Sequence, residues 1–362
     1  MKAVILVGGL GTRLRPLTLN TPKAMMPVLN KPFLEYVIRR LARHKVTDIV
    51  LAISHLAQPI EDHFGNGNRF GVRLEYTAEE TALGTAGAVK NAEEYLEGEA
   101  CLVLNGDIFT DLDLTAMMDF HRRSRALATI ALTPVEDPTI YGLVETDDYG
   151  RITRFLEKPR WEDVTTNMIN AGTYMLESQV LSYIPPQTNF SFERQVFPYL
   201  LERSEPIYAF PSLCYWMDIG TPEKYRRLNF DLLEGRSNQY QPDTTTNISI
   251  GEYSECHPTA IVTAPVVIGD SCSIGKNTRL TGPLVIGNGS NITNSSVVEN
   301  SIIWQNVSVE EDTNVRQSII ANGCIIGAGS LITDSIVPDN VTVATGYRMI
   351  NCSDIQPGAS IG

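Results

Sequence analysis

LVGGLGTRLRPLT, residues 6–18, begins within the end of the apolar run Lys2–Val7. A short apolar strand ending in glycines at 8, 9 and 11 lets backbone N–H groups approach an anion closely. Two well-known phosphate loops are excluded. A Walker loop needs Gly-Lys-Ser/Thr, whereas Gly11 is followed by Thr12 and Arg13; a dinucleotide loop needs GxGxxG, and position 14 is Leu. The stretch also carries Arg13 and Arg15, with Lys23 behind Pro22. Fixed cations of this kind suit a polyphosphate whose charge redistributes during phosphoryl transfer.

Working outward, apolar runs alternate with helix-period segments as far as residue 235. Phe33–Arg43 places Phe33, Leu34, Val37, Ile38 and Leu41 on one helical face, and Asp48–Ile53 and Ala100–Leu104 read as strands. Thr221 before Pro222 is an N-cap followed by proline at the first helical position, and predicts a helix to about Leu233. Strand and helix in repetition predict an α/β, Rossmann-like domain over 1–235 with a mixed sheet and its site at the carboxyl ends of the strands. A polar stretch, 236–248, reads as a linker.

Beyond it a period of six appears. Val262, Ile268, Ile274, Leu280, Ile286, Ile292, Val298 and Trp304 are all bulky and apolar, and the phase then slips to Val309 and Val315 and again to Ile320, Ile326 and Ile332. Such a repeat buries its aliphatic residue only by stacking on its neighbours. Residues 249–362 are therefore expected to form a parallel β-helix, and they resemble the left-handed hexapeptide-repeat kind. A scaffold or homo-oligomer surface is the expected role. A second, acyltransferase site would want a histidine base, and His257 is the only histidine after residue 121.

The 362 residues exceed one ordinary core, and two domains are expected. A net charge of −13 repels nucleic acid and anionic membrane, so anion binding has to be local. No apolar run approaches the roughly 18 residues of a membrane helix, and the first apolar run ends at Val7 without a cleavage site. The six cysteines are dispersed without metal spacing, which reads as reduced thiols in a cytoplasmic protein.

GGLGTRLRPLT followed by Pro22-Lys23 closely resembles the first signature of the sugar-nucleotide pyrophosphorylases, the sugar-1-phosphate nucleotidylyltransferases; Ala24 stands where that family often has proline. FLEKP, residues 155–159, resembles its second signature. The resemblance implies that Leu6, Gly8, Gly9, Gly11, Thr12, Arg13 and Lys23 receive the nucleotide, with Glu80, Gly84 and Thr85 of ETALGTAG and Asn105 and Gly106 of LNGD. It gives the sugar phosphate to Gly142, Glu157, Lys158, Asn170, Gly172 and Glu193. Asp107 and Asp218, two carboxylates expected at strand ends, would hold Mg²⁺, a hard cation that prefers oxygen.

The implied reaction is attack of a sugar-phosphate oxygen on the α-phosphorus of a nucleoside triphosphate, with Arg13, Lys23 and Lys158 as the charges that position and stabilise it. Among the family's branches the chain looks most like the mannose-1-phosphate guanylyltransferases, through LGTAG (83–87), YGLV (141–144) and SFER (191–194), so GTP and mannose-1-phosphate are the expected substrates. Thymidylyl or uridylyl transfer to glucose-1-phosphate stays open. So does a non-catalytic regulatory subunit of the same fold, although such proteins tend to lose the cations and carboxylates retained here.

Overall fold

In the computed structural model the described residues are 1–53, 57–79, 81–239 and 247–362. Glu80, His55 and part of the expected linker lie outside them. The chain forms two compact units: Met1–Gly9 with Leu34–Asp218, and Leu10–Phe33 with Ile219–Gly362.

The first unit is built on a nine-stranded mixed sheet. Lys2–Leu6 lies at its middle, parallel to Asp48–Ile53 on one side and Cys101–Asn105 on the other. Asp48–Ile53 carries Arg73–Ala78, also parallel. Beyond Cys101–Asn105 the sheet turns antiparallel through Met168–Leu176, which also bonds Ala128–Pro134 and, at Ile169, the hairpin of Gly142–Thr146 with Ile152–Glu157. Ala3, Val4, Ile5, Leu102, Val103 and Leu104 are fully or almost fully buried, as central parallel strands covered on both faces require. The helix Phe33–Arg43 buries the five apolar residues expected of it.

The register places the site. Leu6 stands opposite Asn105 on one side and Ala52 on the other, so the chain leaves these strands at the same end as residues 7–9 and 106–107. A separate two-stranded ladder then pairs Ile108–Thr110 with Trp216–Asp218, antiparallel, with Asp218 opposite Ile108.

In the second unit, residues 248–361 wind into a left-handed parallel β-helix with three sheets of six, seven and six short strands. One ladder runs Ile268, Ile286, Ile303, Ile320, Val337, with every side chain buried. The phase slips have a simple cause. A coil takes 18 residues from Ile268 to Ile286 and 17 in each step from Ile286 through Ile303 and Ile320 to Val337, and the last coil, Thr342 to Ser360, takes 18 again.

One expected inward position is corrected. The first slip falls before Trp304, so Ile303 takes the ladder place and Trp304 belongs to the turn beyond it. Trp304 is nevertheless 1% exposed. It packs edge-on against Tyr225, ring centroids 6.3 Å apart, and donates Nε1–H to the Tyr225 hydroxyl at 2.9 Å. Tyr225 lies on the helix Pro222–Leu233, which is capped as expected by Thr221, whose side chain accepts from the Lys224 N–H.

This register makes a stability prediction. Ile303→Ala removes a ladder residue and is expected to cost about 2–5 kcal/mol, as buried large-to-small changes do. Ile325→Ala, at a 43% exposed side chain, is expected to cost less than about 1 kcal/mol. Urea denaturation followed by circular dichroism compares the two; equal losses would contradict the register.

Candidate active site

The first unit gathers most of the expected site residues at one end of its sheet. Gly106 comes directly after the strand Cys101–Asn105, and its N–H donates to the Leu6 carbonyl at 2.9 Å. A Cβ at Gly106 would stand 2.6 Å from that carbonyl oxygen, so only glycine lets the chain cross there. The next residue is Asp107. Asp218, 8% exposed, stands opposite Ile108 in the short ladder, one residue from Asp107. Two acidic residues more than a hundred positions apart in sequence thus stand within one ladder position of each other.

Tyr141 directs its hydroxyl to Asp218 Oδ2 at 3.4 Å, and its ring meets Trp216 edge-on at 5.4 Å. Trp216 in turn donates Nε1–H to the Ala171 carbonyl at 3.0 Å. These contacts tie the carboxylate ladder to the segment carrying Asn170 and Gly172. Gly172 has φ +67°, and a Cβ there would meet Ile108 and Asn105 side-chain atoms at 2.4 and 2.7 Å. Asn105 Oδ1 is buried and has no hydrogen-bond partner among the described residues. A buried acceptor left in this state is costly unless water or a ligand supplies the donor.

The FLEKP segment reaches the same region. Gly142 pairs with Glu157 across the hairpin, and a Cβ at Gly142 would come within 3.0 Å of Glu157 Oε2. Burial and the charge of Glu193 hold the Glu157 carboxyl above the usual carboxylate range. Lys158 is exposed with φ +51°, an uncommon conformation for a residue with a Cβ, and its N–H donates to the Tyr141 carbonyl at 2.9 Å. The backbone thus holds the lysine beyond the strand end with its side chain in solvent.

Gly84 and Thr85 open the helix Gly84–Asn91. Gly84 has φ +70°, and a Cβ there would stand 2.7 Å from the Phe190 carbonyl oxygen, which accepts the Ala86 and Gly87 N–H groups. Thr85 Oγ1 donates to Glu193 Oε2 at 2.8 Å. Gly9 has open space among the described residues where a Cβ would be.

The rest of the first signature belongs to the second unit. Gly11 is left-handed, φ +58°, with its carbonyl accepting the Thr18 hydroxyl at 2.8 Å. Thr12–Leu14 and Lys23–Met25 are single 3₁₀ turns carrying Arg13, which is exposed, and Lys23, which is partly buried. His257 is engaged locally, with Nδ1 3.0 Å from Thr259 Oγ1. Tyr174 and Ser191 are participants that the sequence did not single out as ligands; both contact Glu193.

Residues 2–235 match the nucleotidyl transferase family, and residues 245–352 match the family described as the EIF2B subunit epsilon LbH domain. The chain is 39% identical to a mannose-1-phosphate guanylyltransferase of Mycobacterium tuberculosis, over 78% of this chain and 79% of that one. It is 32% identical to a UTP–glucose-1-phosphate uridylyltransferase of Synechocystis, over 96% of each. Among solved structures, HddC from Yersinia pseudotuberculosis complexed with GMP-PN superposes with a TM-score of 0.55 at 32% identity, covering 63% of this chain and 97% of that one.

The Gly106 crossing predicts a strong local effect. Gly106→Ala forces the chain away from the Leu6 carbonyl and moves Asp107. Displacements of about 1 Å cost on the order of 100-fold in turnover, so a loss of that size is expected in steady-state assays, with the far-UV circular dichroism unchanged. Wild-type turnover in this variant would show that the close crossing does not position Asp107.

Proposed function

This chain belongs to the nucleotidyl transferase family, and from that premise we propose that it transfers the guanylyl group of GTP to mannose-1-phosphate, forming GDP-mannose and pyrophosphate. The observation that carries the reading is the meeting of Asp107 with Asp218 beside Tyr141, within the same unit as Glu157, Lys158, Asn170 and Gly172. The identity to the mycobacterial guanylyltransferase and the guanine nucleotide named for the Yersinia structure favour GTP. The 2–235 match likewise supports a catalytic domain at 1–235, followed by a linker at 236–248 and the β-helix from 249.

In this reading an oxygen of the mannose phosphate attacks the α-phosphorus of GTP, a P–O bond forms, and the bond to the β-phosphate bridge breaks. The attacking phosphate is already ionised, so no side chain has to act as nucleophile. The protein's work is positioning and charge compensation. Lys158 holds the sugar phosphate, with Glu157, Glu193 and Asn170 facing the sugar. The glycines at 8, 9 and 11, with Thr12, Arg13 and Lys23, are assigned to the triphosphate. Gly84, Thr85, Asn105 and Gly106 are assigned to the nucleoside.

The paired carboxylates fit a divalent cation, and Mg²⁺ in particular. Both donors are hard oxygens, and no cluster of three or more metal-binding side chains occurs among the described residues. Two protein ligands leave positions for water and phosphate oxygens, the arrangement Mg²⁺ favours. Bound there, the ion supplies neutralising charge to the phosphate oxygens.

The near full-length match to a uridylyltransferase favours one second reading, UTP with glucose-1-phosphate. Pyrophosphate release with GTP, UTP and dTTP, each against mannose- and glucose-1-phosphate, separates the two. The highest kcat/KM is expected for GTP with mannose-1-phosphate, and a maximum at UTP with glucose-1-phosphate would replace it. In the same assay Lys158→Ala is expected to raise the KM for the sugar phosphate at least about tenfold, the effect of losing a charge-assisted contact. An unchanged KM would remove Lys158 from the site.

A further inference from the structure

A continuous chain of hydrogen bonds crosses the first unit from the helix start at Gly84–Thr85 to Asn170–Gly172, the irregular stretch of the strand Met168–Leu176. Thr85 Oγ1 donates to Glu193 Oε2 at 2.8 Å, and the Tyr174 hydroxyl donates to Glu193 Oε1 at 2.9 Å. Asn170 Nδ2 donates to the same hydroxyl at 2.8 Å, while Asn170 Oδ1 accepts the Gly172 N–H at 2.9 Å. Ser191 adds a second donor to Glu193 Oε2 at 2.6 Å, and the Phe192 N–H donates to Thr85 Oγ1 at 3.0 Å. Gly172 lies against Asn105 and Ile108, the residues flanking Gly106 and Asp107.

Two features show that this chain has one arrangement. A carboxylate has about four acceptor positions, and Thr85, Ser191 and Tyr174 occupy three of those on Glu193. Tyr174 is 0% exposed, with its ring packed by Phe192 and Phe197 at centroid distances of 5.6 and 5.1 Å. A buried hydroxyl that donates to one partner and accepts from another cannot lose either cheaply. Tyr174 is also sealed from solvent, so it touches no substrate and acts only through its neighbours.

We infer that the Thr85–Glu193–Tyr174–Asn170 chain is a coupling joint. Through it the helix start at Gly84–Thr85 and the sugar-facing strand segment Asn170–Gly172 fix each other's position, so that either substrate tightens the binding of the other. Tyr174 is the positioning residue, acting through Glu193 and Asn170, which face the sugar. The inference rests on the reading of the site given above, in which Gly84–Thr85 face the nucleotide and Asn170–Gly172 face the sugar. A structural element held by both subsites carries coupling in both directions equally.

The test measures binding of the sugar phosphate by calorimetry, without and with an α,β-methylene analogue of the nucleotide. The substrate pair is the one with the highest kcat/KM in the wild type. A wrong choice of base or sugar therefore shows in the turnover assay and leaves the coupling measurement intact. In the wild type each ligand is expected to tighten the other at least about fivefold, the lower end of usual coupling factors. Tyr174→Phe, at a side chain that meets neither substrate, is expected to bring that factor close to one while each ligand alone still binds. A merely structural role would lower the thermal midpoint and leave the factor at its wild-type value. That result, or a wild type without any synergy, would overturn the coupling.

Discussion

The contact between the Gly106 backbone and the Leu6 carbonyl is the constraint from which the site follows. It forms only because Lys2–Leu6 and Cys101–Asn105 are parallel neighbours in a register that sets Leu6 opposite Asn105. With a side chain at 106 the crossing would be blocked by a carbonyl oxygen, which cannot rotate away as a flexible side chain can. Once the chain crosses there, Asp107 emerges at the strand ends and Ile108–Thr110 is free to receive Trp216–Asp218. The carboxylate pair is a consequence of backbone packing, made before any ligand arrives.

Around that pair, glycine and aromatic residues divide the work. Gly142, Gly172 and Gly84 stand where a Cβ would strike a carboxylate, an amide or a carbonyl, and so let polar groups close on one another. Tyr141, Trp216 and Tyr174 supply stiff rings whose polar tips reach Asp218, the Ala171 carbonyl and Glu193. Rings with few rotatable bonds lose little entropy on being fixed, which suits a site whose function is to hold two phosphate-bearing substrates in line. The β-helix meets a different demand. Its aliphatic ladders are satisfied coil by coil, and shortening a coil from 18 to 17 residues leaves the inward positions filled.

Local patterns were legible in the sequence. The phosphate-loop glycines, FLEKP and the six-residue aliphatic period each express a short-range rule, and the expected α/β and β-helix architectures follow from them. Asp107 and Asp218 could be named as strand-end carboxylates, but their adjacency depends on a ladder between segments far apart in the chain. Trp304 continued the period of six from Val298 and Ile303 did not, yet both are bulky and apolar, and only the 17-residue coil puts Ile303 in the ladder. Tyr174 carried no signal at all. A tyrosine inside an apolar strand reads as core, and its role emerges only when Glu193 and Asn170 are placed around its hydroxyl. The segment Leu10–Phe33 also defeats a linear reading, since it is continuous with the first strand yet packs in the second compact unit.

The central claim is that Asp107 and Asp218 act as one cation site completed by the nucleotide. Electron paramagnetic resonance of Mn²⁺, titrated against the protein with and without GTP, tests it most directly. The account predicts one site per chain that tightens when GTP is present, and that is lost in both Asp107→Asn and Asp218→Asn. Nucleotide-dependent Mn²⁺ binding that persists undiminished in either variant would contradict it.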